Sequence, residues 1–364
     1  MQILFYLGHP AHYHLFKNII RKLNQSNHKT VVIIKKKDIL EELLRNDGMD
    51  YFNILPEGRK NNKFSILWGL LKRDWRLAKI VRKEKIDMMI GTEPSLAHVG
   101  RLFSIPTLTT VEDDFKVIPY FAYLTYPFTN WIIAPTACDV GKWSEKKISY
   151  HGYQKLAYLH PNHFDPKTEI LKHLLKVEDK YFLLRFAALT AHHDFGKEGL
   201  NTKIVRELIS ILSERGRIFI SSERELEPEF ERYRIQIKPN DIHHVLYHAE
   251  MYIGDSQSMA VEAAVLGVPS LRFNDFAGKI GVLEELEHRY QLTYGIKTSD
   301  PEKLYSKVRE LFTIPNLKKE WHKRKQKMIS DKIDVTSFLV WFIENYPKSG
   351  TIMKTNPSYQ FSFK

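Results

Sequence analysis

Residues 251–274, MYIGDSQSMAVEAAVLGVPSLRFN, constrain the fold more than any other part of the chain. Their pattern predicts a strand, a turn, a helix, a second turn and a second strand. The first strand is apolar, the helix begins among small polar residues after Gly254, and Gly267 and Pro269 end it. A helix that connects two strands is the repeating unit of a parallel sheet. The stretch therefore favours an α/β protein.

The start of this helix predicts an anion site. The first turn of a helix has backbone N–H groups without partners and the positive end of the peptide dipole, so Ser256, Gln257 and Ser258 can bind a diphosphate. Glu262 follows Ser258 by four residues, which places its carboxylate on the same face, where it can accept hydrogen bonds from the hydroxyls of a ribose. The alternative is an ordinary capped helix, packed on a sheet, whose glutamate has no such role.

Strands and helices alternate along the whole chain. The patterns predict strands at 3–7, 30–34, 52–55, 86–91, 106–111, 131–134, 181–186, 217–221 and 235–237, and helices at 15–23, 38–45, 95–102, 202–215, 242–248, 304–311 and 336–346. This alternation predicts parallel sheets with helices on both faces, and 364 residues favour two domains. The expected division is an N-terminal Rossmann-like domain at 1–160, a second at 161–335, a helix at 336–347 that returns to the first domain, and a loose tail at 348–364.

Three loops of the first domain follow predicted strands. Ligands of parallel sheets bind beyond the carboxyl ends of the strands, so His12, Glu93 and Glu112 are candidate catalytic residues. A histidine with a pKa near neutrality can act as a general base, although it can equally cap a helix, and carboxylates at turns are often only solvated. The histidines at 9–14 do not predict a metal site, because no cysteine or carboxylate cluster accompanies them.

The charge of the chain predicts anionic partners. Lys and Arg outnumber Asp and Glu by 55 to 43, which attracts phosphates, nucleic acid or anionic lipid. Residues 59–85 place apolar side chains at helical spacing with Lys and Arg on the other faces. This basic amphipathic helix either packs on its own sheet or approaches an anionic membrane. Nucleic acid is not an expected partner, because no known binding module is present.

The sequence also limits where the protein works. A single cysteine, Cys138, excludes an internal disulfide. The first residues resemble a strand rather than a signal peptide, and no apolar run is long enough to span a bilayer. The expected location is the cytoplasm, with peripheral association at the inner face of the membrane as a further expectation.

Several motifs resemble those of nucleotide-sugar enzymes. The segments GDSQSMAVEAAVLGVP, HHVLYHAEMYIGD and TAHHDFG are similar in layout to the non-hydrolysing UDP-N-acetylglucosamine 2-epimerases, whose Asp-Ser-Gly-Gly pattern is matched at Asp255 and Ser256, with Glu262 following. Their Thr-x-His segment is matched at Thr190 and His192. As a whole, the chain resembles an uncharacterised bacterial and archaeal family related to these epimerases. The resemblance implies a glycosyltransferase-B fold, in which two doubly wound Rossmann-like domains face a cleft.

Departures from the epimerase pattern bear on the activity that the resemblance implies. Glu112 matches, but the acid of the family's Gly-Asp-Thr loop is displaced to Glu93, and an acidic pair near Pro119 is missing. Elimination and readdition of UDP need acids and bases on both faces of the sugar. The resemblance therefore favours a metal-independent glycosyltransferase that moves a sugar from a nucleotide sugar, UDP-linked, to a glycan or lipid-linked acceptor in surface polysaccharide synthesis.

Site roles follow from this resemblance. The diphosphate is expected at Ser256, Gln257 and Ser258, the ribose at Glu262, with added positive charge from Arg185 and His192, while His12 or Glu112 deprotonates the acceptor. No cofactor is expected beside the nucleotide-sugar substrate. Two alternatives stay open, a 2-epimerase that uses Glu93 and Glu112 and a nucleotide-sugar-binding protein without turnover.

Overall fold

The chain forms two α/β units, each with its own parallel sheet. The computed structural model describes residues 1–56, 63–174, 179–187, 199–275 and 277–364. Unit 1 comprises Met1–His163 and Lys332–Lys364, and unit 2 comprises Phe164–Asp331. The prediction of an α/β chain with two doubly wound sheets is confirmed.

Unit 1 contains a seven-stranded sheet in the order β3-β2-β1-β4-β5-β6-β7, with every neighbouring pair parallel. Its strands are β1 Gln2–Leu7, β2 Lys29–Ile34, β3 Phe52–Asn53, β4 Met88–Gly91, β5 Thr107–Thr110, β6 Trp131–Pro135 and β7 Lys147–Tyr150. Its first helices are α1 Pro10–Gln25, α2 Leu40–Asn46, α3 Lys63–Glu84, α4 Pro94–Phe103, α5 Pro119–Thr125 and α6 Leu156–Leu159. Because helices cover both faces of the sheet, the central strand β1 is apolar on both sides and buried from Ile3 to Leu7.

Unit 2 contains a five-stranded parallel sheet in the order β12-β11-β10-β8-β9. Its strands are β8 Tyr181–Phe186, β9 Arg217–Ser222, β10 Met251–Gly254, β11 Ser270–Phe273 and β12 Thr293–Ile296, and its helices are α7 Thr202–Ser213, α8 Ile242–His248, α9 Gln257–Leu266, α10 Gly281–Glu284, α11 Pro301–Phe312 and α12 Leu317–Asp331. Helix α9 is buried from Met259 onward and carries apolar residues on nearly every face. Gly267 ends it in the left-handed region (φ 79°), as the sequence predicted.

The last segment of the chain belongs to unit 1. Helix α13, Val335–Glu344, packs on α1 and α6, and α14, Lys348–Thr355, follows it. The expectation of a loose tail from residue 348 is wrong, because α14 is followed by a 3-10 helix over Pro357–Phe363. The ring of Tyr359 stacks on Trp341 with centroids 4.7 Å apart. Aromatic packing therefore holds Pro357–Phe363 in place, although the sequence of this segment lacks a helical repeat.

Two other expectations are corrected. Residues 235–237 do not form a strand; the chain makes only an isolated bridge between Ile220 and Arg234 before it turns at Pro239.

Helix α1 starts at Pro10 rather than at residue 15, because the ring of His9 caps it by accepting a hydrogen bond from the Ala11 N–H. His12 therefore lies in the first turn of a helix and not in a loop.

No helix in the described ranges is both long and apolar enough to cross a membrane.

Candidate functional site

The start of α9 in unit 2 presents open backbone donors. Ser256 is the N-cap residue, and its hydroxyl accepts a hydrogen bond from the Met259 N–H at 3.4 Å. The N–H groups of Gln257 and Ser258 have no acceptor among the residues that the structure describes. Since these three residues are half-buried while the rest of α9 is buried, the first turn is the part of the helix that a ligand can reach. An anion there would meet the positive end of the dipole.

Asp255 holds the backbone around this turn. It is buried, its carboxylate accepts hydrogen bonds from the Ala187 N–H at 2.6 Å and the Leu200 N–H at 3.3 Å, and Arg224 lies 3.7 Å away. Burial raises the pKa of Asp255, and the hydrogen bonds and Arg224 oppose that rise. Gly199 packs so closely that a Cβ there would lie 2.4 Å from a carboxylate oxygen. Asp255 thus organises the loop ends rather than facing a ligand.

Glu262 lies one turn beyond Ser258 and is held by His243 of α8. The Nε2 atom of His243 is 3.2 Å from Oε1 of Glu262, and both side chains are buried. A carboxylate held by an imidazole keeps a fixed orientation. The ribose contact of Glu262 stays a prediction. His243 was not predicted, since only the packing of α8 on α9 brings it to Glu262.

Of the two residues predicted to add positive charge, the structure describes Arg185 but not His192. Arg185 lies on β8, opposite Gly254 in the register of β10, and donates to Ser221 at 2.6 Å and to Glu223. Its Nε atom is buried without a hydrogen-bond partner in the described structure. Glu223 offsets part of its charge, so the proposed contribution of Arg185 to anion binding stays a prediction. His192 lies outside the described residues.

His12 lies at the carboxyl edge of the unit 1 sheet. Its Nδ1 atom accepts a hydrogen bond from the Gly8 N–H at 3.1 Å. Burial lowers the pKa of His12 well below its usual value, and the nearby charges of His9, Lys35 and Lys155 lower it further. The ring is therefore neutral near pH 7, and its single proton is assigned to Nε2 because Nδ1 is an acceptor. In this state the ring offers a donor rather than a base.

Two carboxylates from neighbouring strands complete this edge. Glu93 precedes α4, is buried, and lies 2.5 Å from the ammonium of Lys35, which follows β2. Its Oε1 atom packs against Gly8, where a Cβ would come within 2.0 Å. The other oxygen of Glu93 accepts no hydrogen bond from the described part of the chain. Glu93 is thus a buried acid with one oxygen open beside the backbone that holds His12.

Glu112, after β5, is occupied by donors of its own unit. One oxygen accepts the Gln154 N–H at 2.6 Å, and the other accepts the ammonium of Lys155. Each oxygen therefore already accepts one internal hydrogen bond, and the two bonds together fix the orientation of the carboxylate. Glu112 therefore holds Gln154 and Lys155 in place, while its predicted role as a base is untested.

In unit 1, His12, Glu93 and Glu112 each follow a strand at the carboxyl edge of the sheet, and in unit 2 Ser256, Gln257, Ser258 and Glu262 lie at one helix. Lys35 and Lys155 were missed. Lys35 directly follows a predicted strand, so the strand-end rule could have found it, whereas Lys155 follows β7, which the sequence did not predict. Within the described ranges, no group of three or more His, Cys, Asp or Glu side chains is arranged to hold a metal ion.

The two parallel sheets with their strand-end sites define an α/β protein of the glycosyltransferase-B fold. The chain belongs to the family described as "Protein of unknown function (DUF354)", whose model matches residues 1–282. A comparison with curated protein sequences finds no match.

Solved structures of two enzyme classes share this fold. The S. aureus MnaA–UDP complex matches with a TM-score of 0.67 and 15% identity over 96% of this chain and 97% of that chain. The Neisseria meningitidis UDP-GlcNAc 2-epimerase bound to UDP-GlcNAc gives 0.63 and 15%, over 95% and 100%. The spinosyn rhamnosyltransferase SpnG with spinosyn aglycone gives 0.61 and 11%, over 95% and 100%.

Proposed function

We propose that this protein is a nucleotide-sugar enzyme, and specifically a metal-independent glycosyltransferase that acts at the cytoplasmic face of the membrane. Its donor would be a UDP-linked sugar and its acceptor a glycan or lipid-linked hydroxyl in surface polysaccharide synthesis. The observation that carries the proposal is the start of α9, where two N–H groups without an acceptor among the described residues lie one helical turn from an oriented carboxylate.

The donor would bind along α9. The diphosphate would accept hydrogen bonds from the N–H groups of Gln257 and Ser258, and the ribose hydroxyls would donate to Glu262. Arg185 and His192 would add positive charge. No metal or cofactor is needed in this proposal, because the helix dipole and basic groups stabilise the charge of the leaving UDP.

The acceptor would react at the edge of the unit 1 sheet. Its hydroxyl oxygen forms the new bond to the anomeric carbon while the bond to UDP breaks, and its proton passes to a base. Glu93 suits this role better than Glu112, because one of its oxygens is open while both oxygens of Glu112 accept internal hydrogen bonds. His12 would donate from Nε2 to a sugar or acceptor oxygen.

A 2-epimerase is the second candidate. The buried position of Glu93 next to the backbone that holds His12 favours it, since proton removal from a sugar carbon also needs a sheltered base. The ion pair of Glu112 with Lys155 supports transfer instead, because it occupies the carboxylate that an epimerase would use as its second acid or base.

Product analysis separates these functions. The protein would be incubated with UDP-N-acetylglucosamine and a chelator, with and without glycan and polyprenyl-phosphate-linked acceptors, and the products followed by mass spectrometry. Release of UDP only with an acceptor supports transfer, and formation of the N-acetylmannosamine nucleotide supports epimerisation. Tight binding without either product indicates a binding protein. If no nucleotide sugar raises the melting temperature, the donor site itself is wrong.

Glu262→Gln tests the ribose contact. The change keeps the shape of the side chain but weakens its acceptor strength, so UDP affinity should fall about tenfold, which is the range for one hydrogen bond to a charged group. Glu310→Gln, an exposed site of the same unit, is the matched control. Titration calorimetry measures both, and unchanged affinity in Glu262→Gln would remove the ribose assignment.

A further inference from the structure

The outer surface of α3 carries an unusual set of exposed side chains. From Trp68, where its side chains are first described, every exposed residue of α3 is either apolar or basic. The apolar ones are Trp68, Leu71 and Trp75, with exposed fractions of 73%, 49% and 59%. The others are all Lys or Arg. A surface helix normally exposes polar residues of both signs, so the packing of α3 on its own sheet explains its buried face but not this one.

The same composition continues on the two neighbouring helices. The exposed residues of α4 are Arg101 and Leu102, and those of α5 are Tyr120, Tyr123 and Leu124. Leu102 is 73% exposed and Tyr120 is 85% exposed. None of the exposed side chains described on α3, α4 and α5 is acidic. These exposed residues of the three helices are called the α3–α5 face.

His98 joins the three helices into one surface. Its ring, on α4, lies 3.0 Å from a carboxylate oxygen of Asp74 on α3 and 2.8 Å from the Leu124 carbonyl oxygen on α5. The ring of Phe128, also exposed, meets it edge-on at 5.1 Å. All three helices cover the same side of the sheet, since β3 to β4, β4 to β5 and β5 to β6 are crossovers in the same direction. The exposed aromatic residues of the three helices therefore lie on the same side of the unit 1 sheet.

The charge of the face matches an anionic partner. Lys79 places its ammonium 3.5 Å from the ring centre of Trp75, so that an apolar ring and a positive charge reach the same depth. Asp74, a half-buried acid of α3, is bound to His98. Trp and Tyr favour the boundary between headgroups and acyl chains, and Lys and Arg beside them bind anionic headgroups.

We propose that the α3–α5 face docks on an anionic lipid surface. A protein interface of this kind is disfavoured, because interface cores are depleted in Lys, and a second copy would bring the same positive charge. Docking needs only the α3–α5 face and does not depend on the sugar chemistry. If the proposed transfer is correct, docking would bring a lipid-linked acceptor to the sheet edge where α5 begins.

Vesicle flotation of the full chain tests this docking. The protein should float with phosphatidylcholine vesicles that contain phosphatidylglycerol, bind weakly to phosphatidylcholine alone, and dissociate in high salt. Trp68→Ser/Trp75→Ser and Lys72→Glu/Lys79→Glu should each reduce the partition coefficient strongly. The loss for the double charge reversal should be at least about 25-fold, because each basic residue contributes about fivefold near an anionic surface.

Matched variants control for the overall charge of +12. Lys319→Glu/Lys323→Glu changes the same charge on exposed positions of α12 in unit 2, and Phe361→Ser removes an exposed aromatic ring elsewhere in unit 1. Both should leave vesicle binding within about twofold of the wild type, since they lie off the face. Tryptophan emission should shift to the blue on anionic vesicles, and the shift should be lost in Trp68→Ser/Trp75→Ser.

Other results would overturn the proposal. Equal losses in the α12 control would mean non-specific attraction by net charge. Dimers that the Trp68→Ser/Trp75→Ser variant dissociates, without vesicle binding, would mean that a second copy covers the face. Binding to RNA that the face variants abolish, without vesicle binding, would assign the face to nucleic acid. UDP binding should be unchanged in every face variant, so a failure of the nucleotide-sugar proposal is recognised separately.

Discussion

At the scale of single residues, the tautomer of His12 decides what the unit 1 site can do. Its Nδ1 atom accepts the Gly8 N–H, so Nε2 carries the proton of the neutral ring. A base at Nε2 would need the other tautomer and the loss of that hydrogen bond. His12 therefore fits the role of a hydrogen-bond donor to an oxygen atom of the substrate.

His12→Gln should keep more activity than His12→Ala, because a glutamine amide can also donate from a similar position. We expect a loss of about tenfold for glutamine and of at least about 100-fold for alanine, measured as kcat/KM for the reaction identified by product analysis. Burial and then the nearby positive charges lower the pKa of His12 below its usual value of 6.5, and a protonated ring would still donate from Nε2. The wild type should therefore show no acidic limb near pH 6.5 that the two variants lack in the pH profile of kcat/KM. Equal losses in both variants would support a proton-transfer role instead.

Gln257→Glu tests the anion site without changing its shape. A carboxylate in the first turn interacts favourably with the helix dipole, so the melting temperature should not fall. The same charge repels a diphosphate, so UDP affinity should fall at least about tenfold. Gln326→Glu makes the identical change on the exposed face of α12 and should alter neither quantity. A variant that binds UDP normally would place the diphosphate elsewhere.

The contacts between site residues that sequence could predict are those between residues close in the chain. Ser256 and Glu262 are on one helix, and their spacing alone implies a shared face. Lys35 and His243 meet Glu93 and Glu262 only because strand order and helix packing bring distant segments together. The hydrogen bond that fixes the tautomer of His12 likewise depends on where the helix begins, which the sequence placed five residues too late.

At the scale of elements, Asp334 joins α13 to the end of the first chain segment of unit 1. It caps the helix through the Ser337 N–H at 3.0 Å and binds Asn162 at 3.1 Å and His163 at 2.7 Å. Burial by itself would raise the pKa of Asp334, but these hydrogen bonds outweigh it and hold the pKa well below its usual value. A depressed pKa means that the ionised form stabilises the fold.

Asp334→Asn should lower the free energy of unfolding by about 2 kcal/mol at about pH 7, since asparagine still caps a helix but loses the charge. The contribution of Asp334 is present above its unfolded pKa, near 3.8, and is lost as the pH falls from there toward the lower folded pKa. The difference between the two proteins in urea denaturation should therefore shrink in acid. Asp300→Asn, at the exposed cap of α11, is the control with a smaller effect. A difference that is independent of pH would contradict the charge argument.

Helices and strands with a clear repeat of apolar residues could be predicted from the sequence. Elements that are fixed by contacts between distant residues could not. Strand β8 and helix α8 have the predicted bounds, because apolar runs and helical spacing define them. The residues at 235–237 alternate as a strand does, yet no second pairing partner reaches them after the bridge at Arg234. The segment after Pro357 shows no period and is held by aromatic contacts instead.

At the scale of the whole molecule, the two units differ in how the chain builds them. Unit 1 uses two segments, since α13 and α14 return to the first unit after unit 2 is complete. Unit 2 is one continuous segment with its own sheet and its own core. The sequence predicted two doubly wound domains because strands and helices alternate on both sides of the Pro-rich segment near residue 160.

This difference predicts that residues 164–331 fold alone and retain the donor site. The fragment contains α8, α9 and β8, and hence every described residue to which we assign nucleotide binding. If those residues provide the binding energy, the fragment should bind UDP within about threefold of the full chain, a difference of less than about 1 kcal/mol. Gln257→Glu in the fragment should lower this affinity at least about tenfold, as in the full chain. Titration calorimetry gives the affinities, and circular dichroism with a cooperative thermal transition confirms folding. A folded fragment with no affinity for UDP would mean that unit 1 supplies essential contacts to the nucleotide, and the assignment of the donor to α9 alone would be wrong.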